Sequence, residues 1–352
     1  MVGRQYEYQE GKKKKAKFLD FSNYNIRVYN SEGSLVKEIN TQINGKWLVT
    51  TKVIQVPHRD IIISAFYSNS KRGNEINGIL VQRINPRTGE VLGTSSKEIN
   101  TSLITKLEDD DDDDGDDESR KERKERKRLE KIQNEEDGFS KYMIFRSFVY
   151  SPDSGVVILA EKYHHYEYAQ TTTTGGGGFG GGMSSTRTTW YQVYECGDLM
   201  MTKVNSNGEI SWFHILPKQQ REVIQSGSSS AYGSGLSFTA GNNFFDATAF
   251  NMPFYAGFGV LSGNKTATII FNDSKKNQNT LELGQRVKMM SYFRKSQCYG
   301  VDLDLVTGKY TRNILFSNDD VPTAMPRLAS GIGKDLYIVG KEDRMLGKSK
   351  IA

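Results

Sequence analysis

Residues 198–216 read DLMMTKVNSNGEISWFHIL, in which two apolar runs flank the polar sequence NSNG at positions 205–208. Both runs mix β-branched, aromatic and methionine side chains in a roughly alternating order, which is typical of a half-buried strand. Asn and Gly at the tip readily adopt the positive φ angles that a tight reversal requires. The stretch therefore predicts a two-stranded β-hairpin.

The same pattern occurs three more times, with Asn or Asp at the end of the first strand and Gly three or four residues later. The copies are residues 25–39 (NIRVYNSEGSLVKEI), 78–99 (GILVQRINPRTGEVLGTSSKEI) and 297–316 (QCYGVDLDLVTGKYTRNILF). Further apolar strands follow the hairpins at residues 60–67, 155–163, 266–273 and 335–340. Without insertions the unit is roughly 45–60 residues long, as in a four-stranded propeller blade.

One blade cannot bury both of its faces, so neighbouring blades must stack. We therefore predict an all-β fold, a single β-propeller domain over residues 1–352 built from repeated hairpin-plus-strand blades, with one charged helical insertion. Residues 347–352 (GKSKIA) resemble the first strand of a hairpin that is not completed. Either the chain is a fragment of a larger propeller, or its two ends combine to close one blade.

The charged insertion is predicted at residues 105–138. Residues 109–117 contain eight aspartates, and residues 120–131 (RKERKERKRLEK) alternate in sign at helical spacing. An acidic turn that leads into an exposed helix explains this composition. Asp110, Asp112 and Asp114, followed by Gly115, also resemble the opening of a calcium-binding loop, so calcium is the one metal considered. No other cofactor is expected.

Two further segments are irregular in composition. Residues 169–189 are rich in Thr and Gly and are interpreted as a flexible loop between strands. Residues 226–263 are rich in Gly and aromatic side chains, including Phe254, Tyr255 and Phe258. They form either a packed loop or an aromatic contact surface for a partner or a glycan.

Residues that could carry out catalysis are few. His164 and His165 are adjacent at the end of a strand, so their side chains point to opposite faces and do not share one metal. Cys196 and Cys298 are the two cysteines; they form a disulfide between neighbouring blades or remain free thiols. No known nucleophile or metalloprotease motif occurs. We therefore predict no catalytic residue.

Several polar residues remain as structural or ligand-binding candidates. Asn272, Asp273 and Asn277 follow a strand and are interpreted either as turn caps or as ligand-binding residues. Glu161 and Asp302, with Asp273, form an acid–base pair only if the fold brings them together. The hairpin at 198–216 is followed directly by Pro217, which ends the strand, and by Lys218 and Gln220, which are predicted to tie one blade to the next.

The composition is that of a globular domain with 36% hydrophobic residues and a modest net charge of +5 in segregated blocks, so we expect no nucleic-acid partner. No stretch approaches the roughly 18 apolar residues of a membrane span. Residues 1–17 lack the apolar core of a signal peptide. The chain is therefore either cytoplasmic, or its export signal lies outside these residues.

The order of several short motifs resembles that of a group of uncharacterised Bacteroidota cell-envelope proteins. They are the Glu-Lys-Tyr strand at residues 155–163, the irregular Thr/Gly-rich loop, SWFHILPKQQ at 211–220 and IIFNDSKKN at 269–277, with FYSNSKRGNEINGILVQRI at 66–84 as a further likeness. The resemblance covers roughly residues 60–352, but Lys162 stands where the group more often has Gln. It implies a propeller-like fold and a location in the periplasm or at the cell surface, associated with the outer membrane. It implies no known activity.

Two functions of different classes follow from these observations. The first is a non-enzymatic propeller that holds a protein partner as a subunit of an outer-membrane or cell-surface assembly. The second is a propeller that binds or cleaves a polysaccharide at the cell surface through aromatic and carboxylate side chains. A scaffold of the WD type is a third possibility, although no Gly-His or Trp-Asp signature is present.

Overall fold

The computed structural model describes residues 2–6, 21–42, 46–55, 60–69, 75–99, 106–107, 139–140, 142–174, 185–232, 235–240, 252–280, 282, 285–332, 335–342 and 350–351. In these ranges the regular structure consists of β-strands and three short 3-10 helices, and the chain is all-β with several antiparallel sheets. No helix in this part of the chain is long and apolar enough to cross a membrane.

Four larger sheets follow one another along the chain, here named the first, second, central and fourth sheets. The first contains β1 (Val2–Tyr6), β2 (Phe21–Tyr29) and β3 (Leu35–Gln42), and the second contains β4 (Trp47–Gln55), β5 (Ile61–Ser68), β7 (Gly78–Ile84) and β8 (Val91–Glu98). The central sheet contains β11 (Met143–Tyr150), β12 (Val156–Thr174), β13 (Ser185–Val204), β14 (Ile210–Leu216), β15 (Gln220–Tyr232) and β16 (Gly235–Ala240). The fourth contains β17 (Phe258–Ser262), β18 (Thr266–Asp273), β20 (Gln297–Asp304) and β21 (Tyr310–Ser317).

Short strands complete the fold. They are β6 (Glu75–Ile76) paired with β10 (Phe139–Ser140), β9 (Lys106–Leu107) paired in parallel with β19 (Arg286–Val287), β22 (Thr323–Ala324) with β25 (Gly340–Glu342) and β26 (Lys350–Ile351), and β23 (Ser330–Ile332) with β24 (Asp335–Tyr337). The 3-10 helices are Lys275–Asn277, Phe293–Lys295 and Pro326–Leu328. Apart from Lys106–Leu107, the predicted charged insertion at 105–138, with Asp110, Asp112 and Asp114, lies outside the described residues.

All four predicted hairpins are confirmed as antiparallel pairs, β2 with β3, β7 with β8, β13 with β14, and β20 with β21. Their turn glycines, Gly33, Gly89, Gly208 and Gly308, have φ angles of 80°, 76°, 87° and 73°. An L side chain rarely adopts this backbone conformation, whereas glycine does so without steric cost. The turn residues, together with the apolar runs that flank them, therefore located the four hairpins correctly.

The grouping of strands into repeats differs from the prediction. Strand β5 pairs with β7, β12 with β13, and β18 with β20, so each additional apolar strand belongs to the hairpin that follows it. A further strand precedes each of them, which gives the second, central and fourth sheets the same four-stranded meander. Of residues 335–340, only Asp335–Tyr337 form part of a strand before β25 begins at Gly340, and this strand pairs with β23.

The sheets pack face to face, and the inner strands are buried on both faces. Ile61 and Ile63 pack against Ile26 of the first sheet, whereas Ile62 packs with residues of the central sheet. In β12, Ile158 likewise lies in the interface with the second sheet and its neighbour Leu159 in the interface with the fourth. Side chains alternate in direction along a strand, so burial of both faces requires the continuous apolar sequences seen here.

The predicted loop at residues 169–189 is largely strand. Ala169 to Thr174 lie in β12 and Ser185 to Thr189 in β13, and only residues 175–184 of this segment lie outside the described residues. Paired threonines line the extension, with hydroxyl oxygens 3.0 Å apart for Thr171 and Thr188. Cross-strand pairs of β-branched residues stabilise such a ribbon, which composition alone did not reveal.

The predicted loop at 226–263 is also partly regular. Its beginning forms the end of β15 and all of β16, and its end forms β17. Residues 241–251 lie outside the described residues. The described aromatic residues Phe254 and Phe258 are buried, which agrees with a packed segment in this part of the chain.

Candidate binding cleft

A cleft of about 710 Å³ lies beside strand β15, between the central and fourth sheets and the C-terminal strands. This volume falls within the roughly 300–1,000 Å³ that is typical of ligand clefts. The lining residues are Glu222 to Gln225, Phe254, Tyr255, Ser291 to Arg294, Asn318 to Thr323, Lys341 and Glu342. Aromatic rings and charged groups thus line the same concave surface.

One edge of β15 faces this cleft. The strand pairs with β13 from Gln220 to Tyr232, and within the described residues β16 pairs with its other edge from Gly227 to Tyr232. At the other end of this edge, the N–H of Arg221 donates to the carbonyl of Met290 at 2.8 Å. Within the described part of the chain, no strand pairs with the intervening residues on that side.

Glu222 fixes the floor of the cleft. Its carboxylate accepts hydrogen bonds from three consecutive backbone N–H groups, those of Phe254, Tyr255 and Ala256, at 2.9, 2.7 and 2.8 Å. Burial raises the pKa of Glu222, and the three amide donors oppose that increase. The side chain therefore acts as an anchor that positions the Phe254 and Tyr255 rings.

Lys341 covers these rings from the C-terminal side. Its ammonium group lies 4.9 Å from the centre of the Phe254 ring and 5.9 Å from that of Tyr255. A cation over an aromatic face is attracted by the electron density of the ring. Tyr292, by contrast, is 48% exposed and lines the cleft, with the Lys295 ammonium group 5.5 Å from the centre of its ring.

A buried charge cluster lies next to the anchor. Glu161 receives Lys218 at 2.7 Å on one carboxylate oxygen and Arg146 at 2.8 Å on the other. Burial by itself would raise the pKa of Glu161, but the two cations outweigh burial and hold it below its ordinary value. With both oxygens bound to cations, Glu161 is a structural counter-ion and has no access to a substrate.

Gln220 connects the central and fourth sheets, as the sequence predicted. Its Nε2 donates to the carbonyl of Asn272 at 2.6 Å, and its Oε1 accepts from the N–H of Gly257 and from Lys218. Lys218 instead neutralises Glu161 within the central sheet. Lys218 and Gln220 thus combine a buried ion pair with an inter-sheet hydrogen bond.

Asn272, Asp273 and Asn277 are fully or almost fully buried, and their side chains bond to other groups of the protein. The Asn272 side chain donates to the carbonyls of Tyr255 and Ala324, and it accepts from Asn318. Asn277 donates to Asp273 and to the carbonyl of Lys288. Asp273 accepts a hydrogen bond from the N–H of Ser274 at 2.8 Å, as a turn cap does, whereas Asn272 joins segments that are distant in the sequence.

Asp273 pairs with one cation, whereas Glu161 pairs with two. Arg312 alone faces Asp273, at 2.7 Å, and both side chains are buried. Burial raises the pKa of Asp273 because one cation does not compensate for the loss of water. Asp302 accepts a hydrogen bond from Thr268 at 2.6 Å. The three carboxylates thus have separate partners.

The structure divides the other predicted binding residues. Phe254 and Tyr255 line the cleft, whereas Phe258 lies in the apolar interface between the central and fourth sheets. The lining residues that sequence reasoning missed include Glu222, Tyr292, Arg294, Asp319, Asp320 and Lys341. They come from four separate segments and follow no local motif, so only the fold brings them together.

The histidines and cysteines provide no metal site in the described residues. His164 lies 3.4 Å from Glu195, and His165 stacks on Tyr194, so the adjacent histidines have different environments as predicted. Cys196 and Cys298 are free and buried, which selects the second of the two alternatives. Burial raises the pKa of both thiols, to about 12 for Cys298.

No family model, no curated protein and no solved structure matches this chain. Function is therefore inferred from the cleft and its surroundings.

Proposed function

We propose that the protein is a non-enzymatic interaction module, a β-propeller or part of one, which holds a segment of a protein partner in the cleft beside β15. The observation that supports this proposal is a cleft of about 710 Å³ that is lined by the aromatic rings of Phe254, Tyr255 and Tyr292. Each nearby buried carboxylate, Glu161, Glu222 and Asp273, is occupied by cations or amide donors. The cleft therefore supports binding better than acid–base catalysis.

The repeated meander supports the propeller part of the proposal. The second, central and fourth sheets share one strand order and pack on each other through apolar faces. Stacked four-stranded sheets of this kind are the blades of propellers. The proposal that the module belongs to an outer-membrane or cell-surface assembly is supported by the motif resemblance alone, and cell fractionation tests it.

Polysaccharide binding is the second candidate, because exposed Tyr292 and Asp320 lie in one cleft. Aromatic rings stack on sugars and carboxylates accept their hydroxyl groups. The protein-binding proposal ranks higher because aromatic residues and Arg294 line the cleft together, and these residue types are enriched where proteins bind one another.

Selection with defined probes distinguishes the two functions. A phage library of random ten-residue peptides and a glycan array are each screened with the purified chain. We expect peptides that bind wild type and bind Tyr292→Ala at least about tenfold more weakly. Tyr337→Ala is the control, since Tyr337 is 53% exposed and lies outside the lining of the cleft. Glycan binding without peptide binding, or equal effects of both substitutions, would overturn the proposal.

A further inference from the structure

We propose that the guanidinium groups of Arg146 and Arg327 form a binding site for a small oxyanion, that is, a carboxylate or a phosphate group. The site is separate from the cleft beside β15, because neither arginine belongs to the lining of that cleft. It therefore does not depend on the partner proposed above. Three features support it: the fixed positions of the two guanidinium groups, their N–H groups without acceptors, and the lack of an ion pair at Arg327 within the described residues.

A β-bulge directs the side chain of Arg146. The residues before and after Arg146 in β11 pair with two consecutive residues of β12, so Arg146 is the extra residue of the bulge. Such a bulge changes the direction of the side chain that it contains. The Nε of Arg146 donates to Glu161 at 2.8 Å, and its guanidinium carbon lies 4.5 Å from the centre of the Tyr163 ring. These contacts hold the guanidinium group in one position.

Arg327 is held by different contacts. It belongs to the 3-10 helix Pro326–Leu328, and its Nη2 donates to the carbonyl of Pro253. Its stem packs on Gly257, where a Cβ would lie 3.1 Å from the Cδ of the arginine. The side chain is partly buried. The position of this guanidinium group is therefore also set by the protein.

The two guanidinium groups lie beside consecutive residues. The Nη1 of Arg146 donates to the sulfur of Met252 at 3.7 Å, and Arg327 bonds to the next residue, Pro253. Burial lowers the pKa of Arg327 most, and the positive charge of Arg146 lowers it further. Because the repulsion between like charges decays with distance, the two groups lie near each other. One anion can therefore contact both.

Each guanidinium group has an N–H donor that meets no acceptor. These donors are on Nη2 of Arg146 and Nε of Arg327, for which the described part of the chain offers no hydrogen-bond partner. A buried donor without a partner costs free energy and is rare in proteins. Carboxylate and phosphate oxygens fit the fork of N–H groups of an arginine. Because both nitrogens are buried, the ligand is a small group.

Arg327 differs from other buried cations in its lack of a counter-ion. Arg83, Lys203, Lys218 and Arg312 have side chains that are at most 2% exposed, and each pairs with a carboxylate at 2.6–2.7 Å. Among the described residues, Arg327 has no such ion pair. A buried charge without a counter-ion is unfavourable, and a second cation nearby adds to the cost.

The nearest carboxylates already have other partners. Glu161 binds Lys218 with one oxygen and Arg146 with the other. Glu222 favours the charged form of Arg327, but its oxygens accept three backbone N–H groups, and it forms no ion pair with this arginine. An oxyanion between the two guanidinium groups would therefore supply both the missing acceptors and the missing negative charge.

Equilibrium dialysis of the full chain against radiolabelled inorganic phosphate, at constant ionic strength, tests this site. We expect saturable binding of one phosphate per chain. Unlabelled acetate is the second probe, and it displaces the phosphate if a carboxylate fits the same fork. Binding of phosphate without displacement by acetate would overturn the carboxylate as a ligand and retain the phosphate.

Substitutions at Arg327 locate the bound phosphate. Arg327→Gln removes the charge and the fork of N–H groups, whereas Arg327→Lys keeps the charge without the fork. We expect both to raise the dissociation constant for phosphate at least about tenfold, because charge-assisted hydrogen bonds are lost. Arg286→Gln, at an exposed position, is the matched control and is expected to change it less than about twofold. Thermal unfolding in chloride verifies that the variants fold, and Arg327→Lys provides the test if Arg327→Gln does not fold.

Three results would overturn the proposal. The first is the absence of saturable binding of both anions to the wild type, and the second is equal affinity of the wild type and the Arg327 variants. The third concerns Asp246, which lies outside the described residues and is the one acidic residue of the sequence between Glu222 and Asp273. If Asp246→Asn binds phosphate and the wild type does not, this aspartate is the counter-ion and no external ligand is needed. Tyr292→Ala is expected to bind phosphate like the wild type, so this test is independent of the cleft.

Discussion

The ammonium group of Lys203 donates to the backbone carbonyl of Leu305 at 3.0 Å, which ties the central-sheet hairpin to the turn of the next hairpin. Arg83 makes the equivalent contact one sheet earlier, to the carbonyl of Asn205 at 3.0 Å. Each cation is buried and also pairs at 2.6 Å with an aspartate that precedes an inner strand, Asp60 for Arg83 and Asp153 for Lys203. The same device thus links two successive pairs of sheets.

Replacement of Lys203 tests the contribution of this device to stability. Lys203→Met keeps the apolar stem of the side chain. It removes the positive charge that pairs with Asp153 and the N–H group that donates to the carbonyl of Leu305. We expect the free energy of unfolding to fall by about 2 kcal/mol, because a hydrogen bond to a charged group is lost while the partly exposed Asp153 is rehydrated. Urea denaturation measures this change. Lys97→Met, at an exposed position, is the control and is expected to change stability by less than about 0.5 kcal/mol.

Glu161 is expected to give a larger effect, because its removal leaves two buried cations without a counter-ion. Glu161→Gln should cost about 3–5 kcal/mol in unfolding free energy, whereas Glu98→Gln at an exposed position should cost little. Equal effects of the two substitutions would contradict the structural role of the cluster.

The same pair of variants predicts a pH dependence. The folded pKa of Glu161 is lowered from its ordinary value of 4.5, so the folded state binds fewer protons than the unfolded state. The stability that Glu161 contributes is therefore fully present above about pH 4.5 and is lost as the pH falls through the folded pKa. The difference between wild type and Glu161→Gln should shrink below pH 4.5. A difference that grows there would contradict the sign of the shift.

Contact between successive hairpins can be measured at a turn glycine. Gly308 has a φ of 73°, and a Cβ at this position would approach the Trp212 ring at 2.7 Å. Gly33 has a similar φ of 80° but nothing within 4 Å. Gly33→Ala should cost about 1–2 kcal/mol from backbone strain alone, and Gly308→Ala should cost about 1–3 kcal/mol more from overpacking. Equal costs would show that the hairpins do not pack as described.

Glu222 should control the mobility of the cleft floor. Glu222→Gln replaces one of the accepting oxygens by an amide donor, so at least one N–H among those of Phe254, Tyr255 and Ala256 loses its acceptor. Faster hydrogen exchange is expected at these three amides than in the wild type, with strand β18 unchanged. Glu282→Gln, at an exposed position, is the control. Unchanged exchange at all three amides would contradict the anchoring role.

The two cysteines should be unreactive in the folded protein. Both are buried free thiols, and burial disfavours the thiolate that reacts. Ellman's reagent at pH 8 is expected to detect no thiol in the native chain and two after denaturation without reductant. A denatured chain with no reactive thiol would show that Cys196 and Cys298 form a disulfide.

The sequence predicted the hairpins because their information is local. An Asn or Asp at the end of a strand and a Gly a few residues later specify a reversal wherever they occur. The pairing of β5, β12 and β18 with the following hairpin is not local, and the sequence assigned these strands to the preceding one. The Thr-rich ribbon was missed because its stability comes from cross-strand pairs such as Thr171 with Thr188.

The cleft was predictable only in part. The density of aromatic residues in the sequence indicated Phe254 and Tyr255 as binding candidates, and both residues line the cleft. Glu222 gave no signal because its three hydrogen-bond donors lie more than thirty residues further along the chain. Tyr292 and Asp320 belong to short connecting segments without a motif, so their convergence depends on the packing of the sheets.

A photocrosslinking residue in place of Tyr292 tests the central claim most directly in the cells that make the protein. We expect a covalent adduct with one protein. The same probe at Tyr337 should give no such adduct. The absence of a protein adduct at Tyr292, or an identical adduct at both positions, would contradict the role of the cleft as a binding site for a protein partner.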